Sequence, residues 1–260
     1  AEWQPEVLRL GDEETEFKGL LQHQRPLVDV AARRKRLIIA DDMGLGKTGA
    51  MISAVTEGLL RDQDTELSPH EALRAGPKLV VCPNSVKGTW LREIRMWLGD
   101  DEPVVAIDAT TPGARKKQLS AGIKANAWVI VNWEQIRAVK VQVEVKRRSG
   151  AISKKKIEQM KEPLFETTEW LAVVADECHR AKNRKAQATR GLWRTKGRFM
   201  FAASGTPLLN SPDELWAILH WLWPEQYTSY WRFYNEYVDF TEGYFGKVIT
   251  GVKNPDALRF

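Results

Sequence analysis

Arg36-Leu37-Ile38-Ile39-Ala40 runs straight into Asp41-Asp42-Met43-Gly44-Leu45-Gly46-Lys47-Thr48, and this join decides how the surrounding chain is read. The first segment, mostly aliphatic, is a short buried strand, and residues 48–61 carry a helical pattern. Between them lies a glycine-containing loop ending in Gly-Lys-Thr. Such a strand, loop and helix form a phosphate cradle. Glycines let backbone N–H groups turn towards phosphate oxygens, and the helix start adds the positive end of its dipole. Met43, Gly44, Leu45 and Gly46 would line the cradle, and Lys47 would reach the β- and γ-phosphates. The Thr48 hydroxyl would ligate Mg²⁺, so a nucleotide with Mg²⁺ is the expected ligand. The general pattern places a glycine five positions before Gly46; Asp41 stands there, and the shorter Gly-x-Gly-Lys-Thr form remains.

Outward from that loop, compact runs rich in Val, Ile or aromatics recur at residues 78–82, 103–107, 127–131, 170–175 and 198–203. None alternates cleanly, which is the pattern of strands buried on both faces. Helical stretches lie between them at 87–98, 115–121 and 184–194. This alternation predicts an α/β fold: a three-layer α/β/α P-loop domain with a mostly parallel sheet. Residues 61–77 read as a long polar loop. In residues 139–163, Val139, Val141, Val143 and Val145 alternate with polar partners, and a turn at 147–150 is followed by Lys154-Lys155-Lys156. That predicts a basic hairpin or flap inserted into the scaffold, with one half-buried strand. After Ala203 the chain reads as helical and aromatic to about residue 239, then as irregular to residue 260.

Composition narrows the class. Of 260 residues 43% are hydrophobic, which excludes disorder as the main state. No uninterrupted apolar stretch approaches the roughly 18 residues of a membrane span, so no membrane role is expected. The acidic, mixed start is unlike a signal peptide, and two cysteines far apart exclude a disulfide framework, so an intracellular setting is expected, cytoplasmic or nuclear. Four histidines and two cysteines without close pairing argue against structural zinc. The net charge of +5 permits a polyanionic partner without requiring one.

The run at 170–175 ends in Asp176-Glu177-Cys178-His179. Carboxylates at the C-terminal end of a buried strand face the crevice where α/β sheets bind ligands. Asp176 can hold Mg²⁺ directly or through water, and Glu177 is placed to orient or activate an attacking water. Alone, the pair is equally a plain helix start; downstream of a phosphate loop it points to phosphoryl transfer. Cys178 is read as a buried space-filler rather than a nucleophile beside His179.

With these residues in place, 41–48 (DDMGLGKT), 176–183 (DECHRAKN) and 204–210 (SGTPLLN) resemble motifs I, II and III of Swi/Snf-type ATPases, a family of helicase superfamily two that translocates on double-stranded DNA. Pro83-Asn84-Ser85 with Trp90, Glu93 and Trp97 is similar to motif Ia, and Asn132-Trp133-Glu134 to motif Ib. The helix around Glu214-Leu215-Trp216 resembles the one that follows motif III. Gln24 sits where the family has its adenine-reading glutamine, with His23 in place of the usual aromatic; Cys178 replaces an alanine and Ser204 a threonine. The resemblance implies an ATP hydrolase in which Lys47, Asp176, Glu177 and His179 are catalytic and His179 couples the γ-phosphate side to Ser204 and Thr206. It implies that residues 83–87, with Pro83, Asn84, Ser85 and Lys87, and the segment at Asn132 and Trp133 follow the DNA backbone. It also implies a second RecA-like lobe carrying an arginine finger; no pattern for one is found here, so residues 1–260 are expected to be the first lobe alone.

Basic runs at 33–36, 115–117, 146–148, 154–156 and 180–198 suit solvated faces one by one, but on a motor-type ATPase some should meet phosphates. Lys146, Arg147 and Arg148 are the flap residues expected there. Most of the eleven tryptophans are read as packing rather than base stacking. The alternatives to a duplex-DNA translocase lobe are a lobe of an RNA helicase or restriction-type motor, or a nucleotide- and DNA-binding module with little activity alone.

Overall fold

The computed structural model describes residues 19–42, 44–62, 68–146, 152–205, 211–243 and 246–253. The order of elements is α1 (Gln24–Arg34), β1 (Arg36–Ile39), α2 (Lys47–Arg61), α3 (Pro69–Leu73), β2 (Lys78–Cys82), α4 (Lys87–Leu98), β3 (Val104–Ala106), α5 (Pro112–Lys124), β4 (Trp128–Asn132), β5 (Ala138–Lys146), β6 (Ile152–Met160), α6 (Leu164–Thr167), β7 (Trp170–Asp176), α7 (Gln187–Leu192), β8 (Gly197–Ala203), α8 (Leu215–Leu222), α9 (Tyr230–Tyr237), β9 (Val238–Gly243) and β10 (Gly246–Val252). Six strands form one parallel sheet in the order β1-β8-β7-β2-β4-β3.

The unbroken apolar runs follow from a sheet covered on both faces. Along β2, Val80 and Cys82 enter a core shared with α1, α2, α3 and α4, while Leu79 and Val81 enter a second core shared with α5, α7 and α8. The other strands divide the same way: Ile130, Val174 and Phe201 face the first core, and Val131, Val173 and Ala202 the second. Leu215, Trp216 and Leu219 of α8 and Phe233 of α9 make a third, aromatic cluster beside the sheet.

Among the described residues, one charge pair has both side chains fully buried. Lys78 and Glu102 side chains are fully buried, with Lys78 Nζ donating to Glu102 Oε1 at 3.0 Å and to the Leu73 and Asn126 carbonyls at 2.8 Å each. Burial pushes the Lys78 ammonium below its ordinary value, and Glu102 opposes that shift.

Two stretches differ from expectation. The loop expected at 61–77 contains α3, started by a capping box in which the Ser68 hydroxyl accepts from Glu71 N and the Glu71 carboxylate accepts from Ser68 N. In the tail expected to be irregular after residue 239, the described residues pair as the antiparallel strands β9 and β10 instead. The basic insertion is a hairpin, β5 paired with β6 from Ala138↔Met160 to Lys146↔Ile152. Val139, Val141 and Val143 are half-buried while Lys140, Gln142 and Glu144 are exposed, the alternation of a one-sided strand. Its base rests on α7 through the Arg190–Glu158 pair, and just past that helix the Arg194 guanidinium donates to the Glu158 carbonyl at 2.7 Å. Arg147 and Arg148 lie outside the described residues.

Candidate nucleotide site

Three neighbouring strands, β1, β8 and β7, end on the same edge of the sheet. The loop after β1 carries the glycine motif, β7 ends in Asp176, and β8 leads into Ser204. The Ser204 amide donates to the Ile39 carbonyl at 3.0 Å, so the third segment is tied to the end of β1.

Within the loop, Gly44 and Gly46 have φ of 84° and 71°. Gly46 caps α2 in the left-handed region, and a Cβ there would lie 2.3 Å from Gln24 Nε2. Behind it Gly49 allows a close approach of α2 to α4, since its Cβ would meet the Trp97 ring at 2.4 Å. Lys47 Nζ donates to the Asp41 and Asp42 carbonyls at 2.8 Å each, which holds the ammonium inside its own loop. Thr48 follows on the first turn of α2, half-buried. Met43 and Thr206 lie outside the described residues.

Gln24 is buried rather than open to an adenine. Its Nε2 donates to the Leu45 and Gly46 carbonyls at 3.1 and 3.0 Å, and its Oε1 accepts from Leu21 N at 2.8 Å. The carboxamide is therefore a clamp on the phosphate loop. His23 Nε2 lies 3.3 Å from the same Leu45 carbonyl.

Asp176 is half-buried, and its side chain is fixed from two sides: Oδ2 accepts from Trp90 Nε1 at 2.9 Å and Oδ1 from Glu177 N at 3.0 Å. Its main-chain carbonyl accepts from Trp133 Nε1 at 3.1 Å. Burial raises the Asp176 carboxyl above its ordinary value, the Trp90 bond pulls the other way, and the neighbouring Glu177 charge adds to the rise. Glu177 has φ of 50°, a left-handed conformation that a non-glycine residue holds only under constraint. Its Oε2 is buried and lies 3.2 Å from His179 Nδ1 without the alignment of a hydrogen bond. The same His179 nitrogen lies 3.0 Å from Ser204 Oγ. Cys178 is buried and its thiol is pushed up to about 12, which removes it as a nucleophile.

The segments expected to follow DNA divide into outward and inward residues. Asn84 and Ser85 are exposed, and Asn132 Nδ2 donates to Asn84 Oδ1 at 3.2 Å, joining the two segments. Pro83, Lys87 and Trp133 are buried, which corrects the expectation that their side chains face a duplex. Lys87 Nζ donates to the Ile107 carbonyl at 2.7 Å and to Gln135 Oε1 at 3.3 Å, and burial pushes its ammonium down. Lys146 closes β5. The indole bonds to Asp176 were not read from sequence; the spacing of Trp90 and Trp97 signals a buried helix face but not the target of an N–H.

The family model described as "SNF2-related domain" matches residues 23–251. Among curated proteins, the chain is 30% identical over 201 residues to Protein CHROMATIN REMODELING 5 of Arabidopsis thaliana, covering 77% of this chain and 10% of that protein. It is 31% identical over 195 residues to the ISWI chromatin-remodeling complex ATPase ISW1 of Saccharomyces cerevisiae, covering 74% and 14%. The chain thus spans a small part of the relatives it matches. The solved Sulfolobus solfataricus SWI2/SNF2 ATPase core in complex with dsDNA shares the fold, with a TM-score of 0.62 at 20% identity over 88% of this chain and 41% of that one.

Proposed function

The chain belongs to the SNF2-related domain family, and on that premise we propose that it is the first ATPase lobe of a DNA-dependent ATPase that couples ATP hydrolysis to movement along double-stranded DNA. The observation that carries this reading is that Lys47 and Thr48 at the start of α2, Asp176 and Glu177 at the end of β7, and Ser204 after β8 all lie at one edge of the sheet. The residues fit Mg²⁺–ATP. The left-handed glycines leave the loop backbone open to phosphate, and the Lys47 ammonium sits on carbonyls that phosphate oxygens would replace. Thr48 and Asp176 offer hard oxygen donors of the kind Mg²⁺ takes beside nucleotide phosphates. The bound ion would supply charge neutralisation at the β- and γ-phosphates.

In this reading Lys47 steadies the phosphates and Glu177, whose buried Oε2 lacks an aligned donor, holds the water that attacks. His179 joins that carboxylate to Ser204. Gln24 acts by shaping the loop, whatever its contact with adenine. Asn84, Ser85 and Asn132 present polar groups to a duplex backbone, and the β5–β6 hairpin adds Lys154 and Lys156, both exposed. The chromatin-remodelling relatives and the duplex-bound archaeal core support a duplex partner over RNA. A second RecA-like lobe with an arginine finger completes the site in this reading, so the lobe alone hydrolyses slowly, by about 10³–10⁵ relative to the complete pair. Among the described residues no helix is long and apolar enough to cross a membrane, and an intracellular setting belongs to the same proposal.

The test is Glu177→Gln in a two-lobe protein. ATP binding should persist while duplex-stimulated turnover is lost; turnover at the wild-type rate would remove Glu177 from its role.

A further inference from the structure

Two tryptophans, from two different segments, converge on Asp176. Trp90 stands on the first turn of α4, directly after the loop of Asn84 and Ser85, is 1% exposed, and donates its indole N–H to Asp176 Oδ2 at 2.9 Å. Trp133 follows Asn132 at the end of β4, is 2% exposed, and donates to the Asp176 main-chain carbonyl at 3.1 Å. On the outward side the same two segments are bonded to each other by Asn84 and Asn132 at 3.2 Å, and one layer deeper by Lys87 and Gln135 at 3.3 Å. The two loops are therefore cross-linked, and both indole contacts run inward to one residue.

A buried indole N–H usually finds an acceptor, although among the described residues those of Trp128 and Trp216 have none. Here the acceptors are the carboxylate and the carbonyl of a single residue at a strand end. A shift of either loop along a duplex must carry its indole with it. The Asp176 carboxylate must then follow Trp90 or lose a charge-assisted bond, and the Asp176 main chain must follow Trp133 or lose a neutral one.

We propose that Trp90 and Trp133 are positioning residues that transmit the placement of the two duplex-facing segments to the carboxylate of Asp176. This rests on the reading of Asp176 as a magnesium-side carboxylate and of Asn84, Ser85 and Asn132 as duplex-facing. By linkage, duplex binding and Mg²⁺–nucleotide binding then alter each other's affinity by the same factor.

Calorimetry of this chain with Mg²⁺ and a non-hydrolysable ATP analogue, with and without saturating duplex, measures that factor. A duplex effect on nucleotide affinity of about 5-fold or more is expected in the wild type. It should vanish in Trp90→Phe and in Trp133→Phe. It should persist in Trp97→Phe, a substitution of the same size on the same helix, where the indole N–H goes to Glu93 Oε2 at 3.1 Å. In ¹⁵N-tryptophan-labelled wild-type protein, the Trp90 and Trp133 indole N–H resonances should shift on adding duplex alone and again on adding nucleotide. That measurement needs no variant to fold. Coupling that survives both substitutions, a wild type that binds both ligands independently, or indole resonances blind to duplex would each overturn the proposal while leaving the ATPase reading intact. A wild type that binds neither ligand would overturn that reading and this inference with it.

Discussion

His179 Nδ1 lies 3.0 Å from Ser204 Oγ, a bond that spans the ends of the neighbouring strands β7 and β8. The Ser204 amide is held separately by the Ile39 carbonyl at 3.0 Å, so removing the hydroxyl leaves the backbone of the segment in place. Ser204→Ala should therefore preserve Mg²⁺–ATP affinity and lower duplex-stimulated kcat in a two-lobe protein. Loss of one hydrogen bond, at about 0.5–1.5 kcal/mol, corresponds to a drop of about 2- to 13-fold. Steady-state kinetics at saturating ATP check this, and a rise in KM with unchanged kcat would place Ser204 in binding instead.

Cys82 and Cys178 should resist alkylation in the native protein at about pH 8, because burial pushes both thiols up to about 12 and leaves almost no thiolate. The sign of the stability effect follows. The folded values lie above the ordinary 9.0, so above that pH the unfolded chain loses thiol protons that the folded chain keeps. The stabilisation is complete below pH 9.0 and is lost as the pH climbs towards about 12. Denaturant midpoints over that window should fall more steeply in the wild type than in a Cys82→Ala, Cys178→Ala variant, with mass spectrometry after iodoacetamide as the companion measurement.

Replacing Lys146, Arg147, Arg148, Lys154, Lys155 and Lys156 with Ser or Gln should weaken duplex binding about equally for all sequences. If all six neutralise phosphates, the slope of log affinity against log salt flattens by up to about 5. Nucleotide affinity should be unchanged. Duplex affinity over a salt series decides; equal slopes would leave the hairpin as a solvated feature and place the DNA path on the Asn84–Asn132 side.

The phosphate loop, the strand before it and the Asp176-Glu177 strand end were legible in the sequence, because each rests on local periodicity and on residue types with one dominant chemistry. The hairpin at 139–163 was legible for the same reason, its valines alternating with polar partners. The inward turn of Lys87 and Trp133 was not. A lysine or tryptophan reads the same whether its polar tip meets solvent or a carbonyl 20 or 43 positions away, as Ile107 and Asp176 are here. Gln24 was assigned a place near the nucleotide, but its bonds to Leu45 and Gly46 depend on how α1 packs over α2, which no local pattern encodes. The α3 capping box, Ser68 to Glu71, carried a local signal that Pro69, Gly76 and Pro77 outweighed in the reading of 61–77 as a loop.

If the loop from Asp41 to Thr48 binds nucleotide phosphates, calorimetric titration of Mg²⁺–ATP will separate the wild type from Lys47→Ala. The half-buried Lys47 side chain bonds to the Asp41 and Asp42 carbonyls of its own loop, so the substitution should leave thermal unfolding nearly unchanged. The wild type should bind and Lys47→Ala should show no detectable heat; equal affinity in the two proteins would mean that this loop is not the phosphate site.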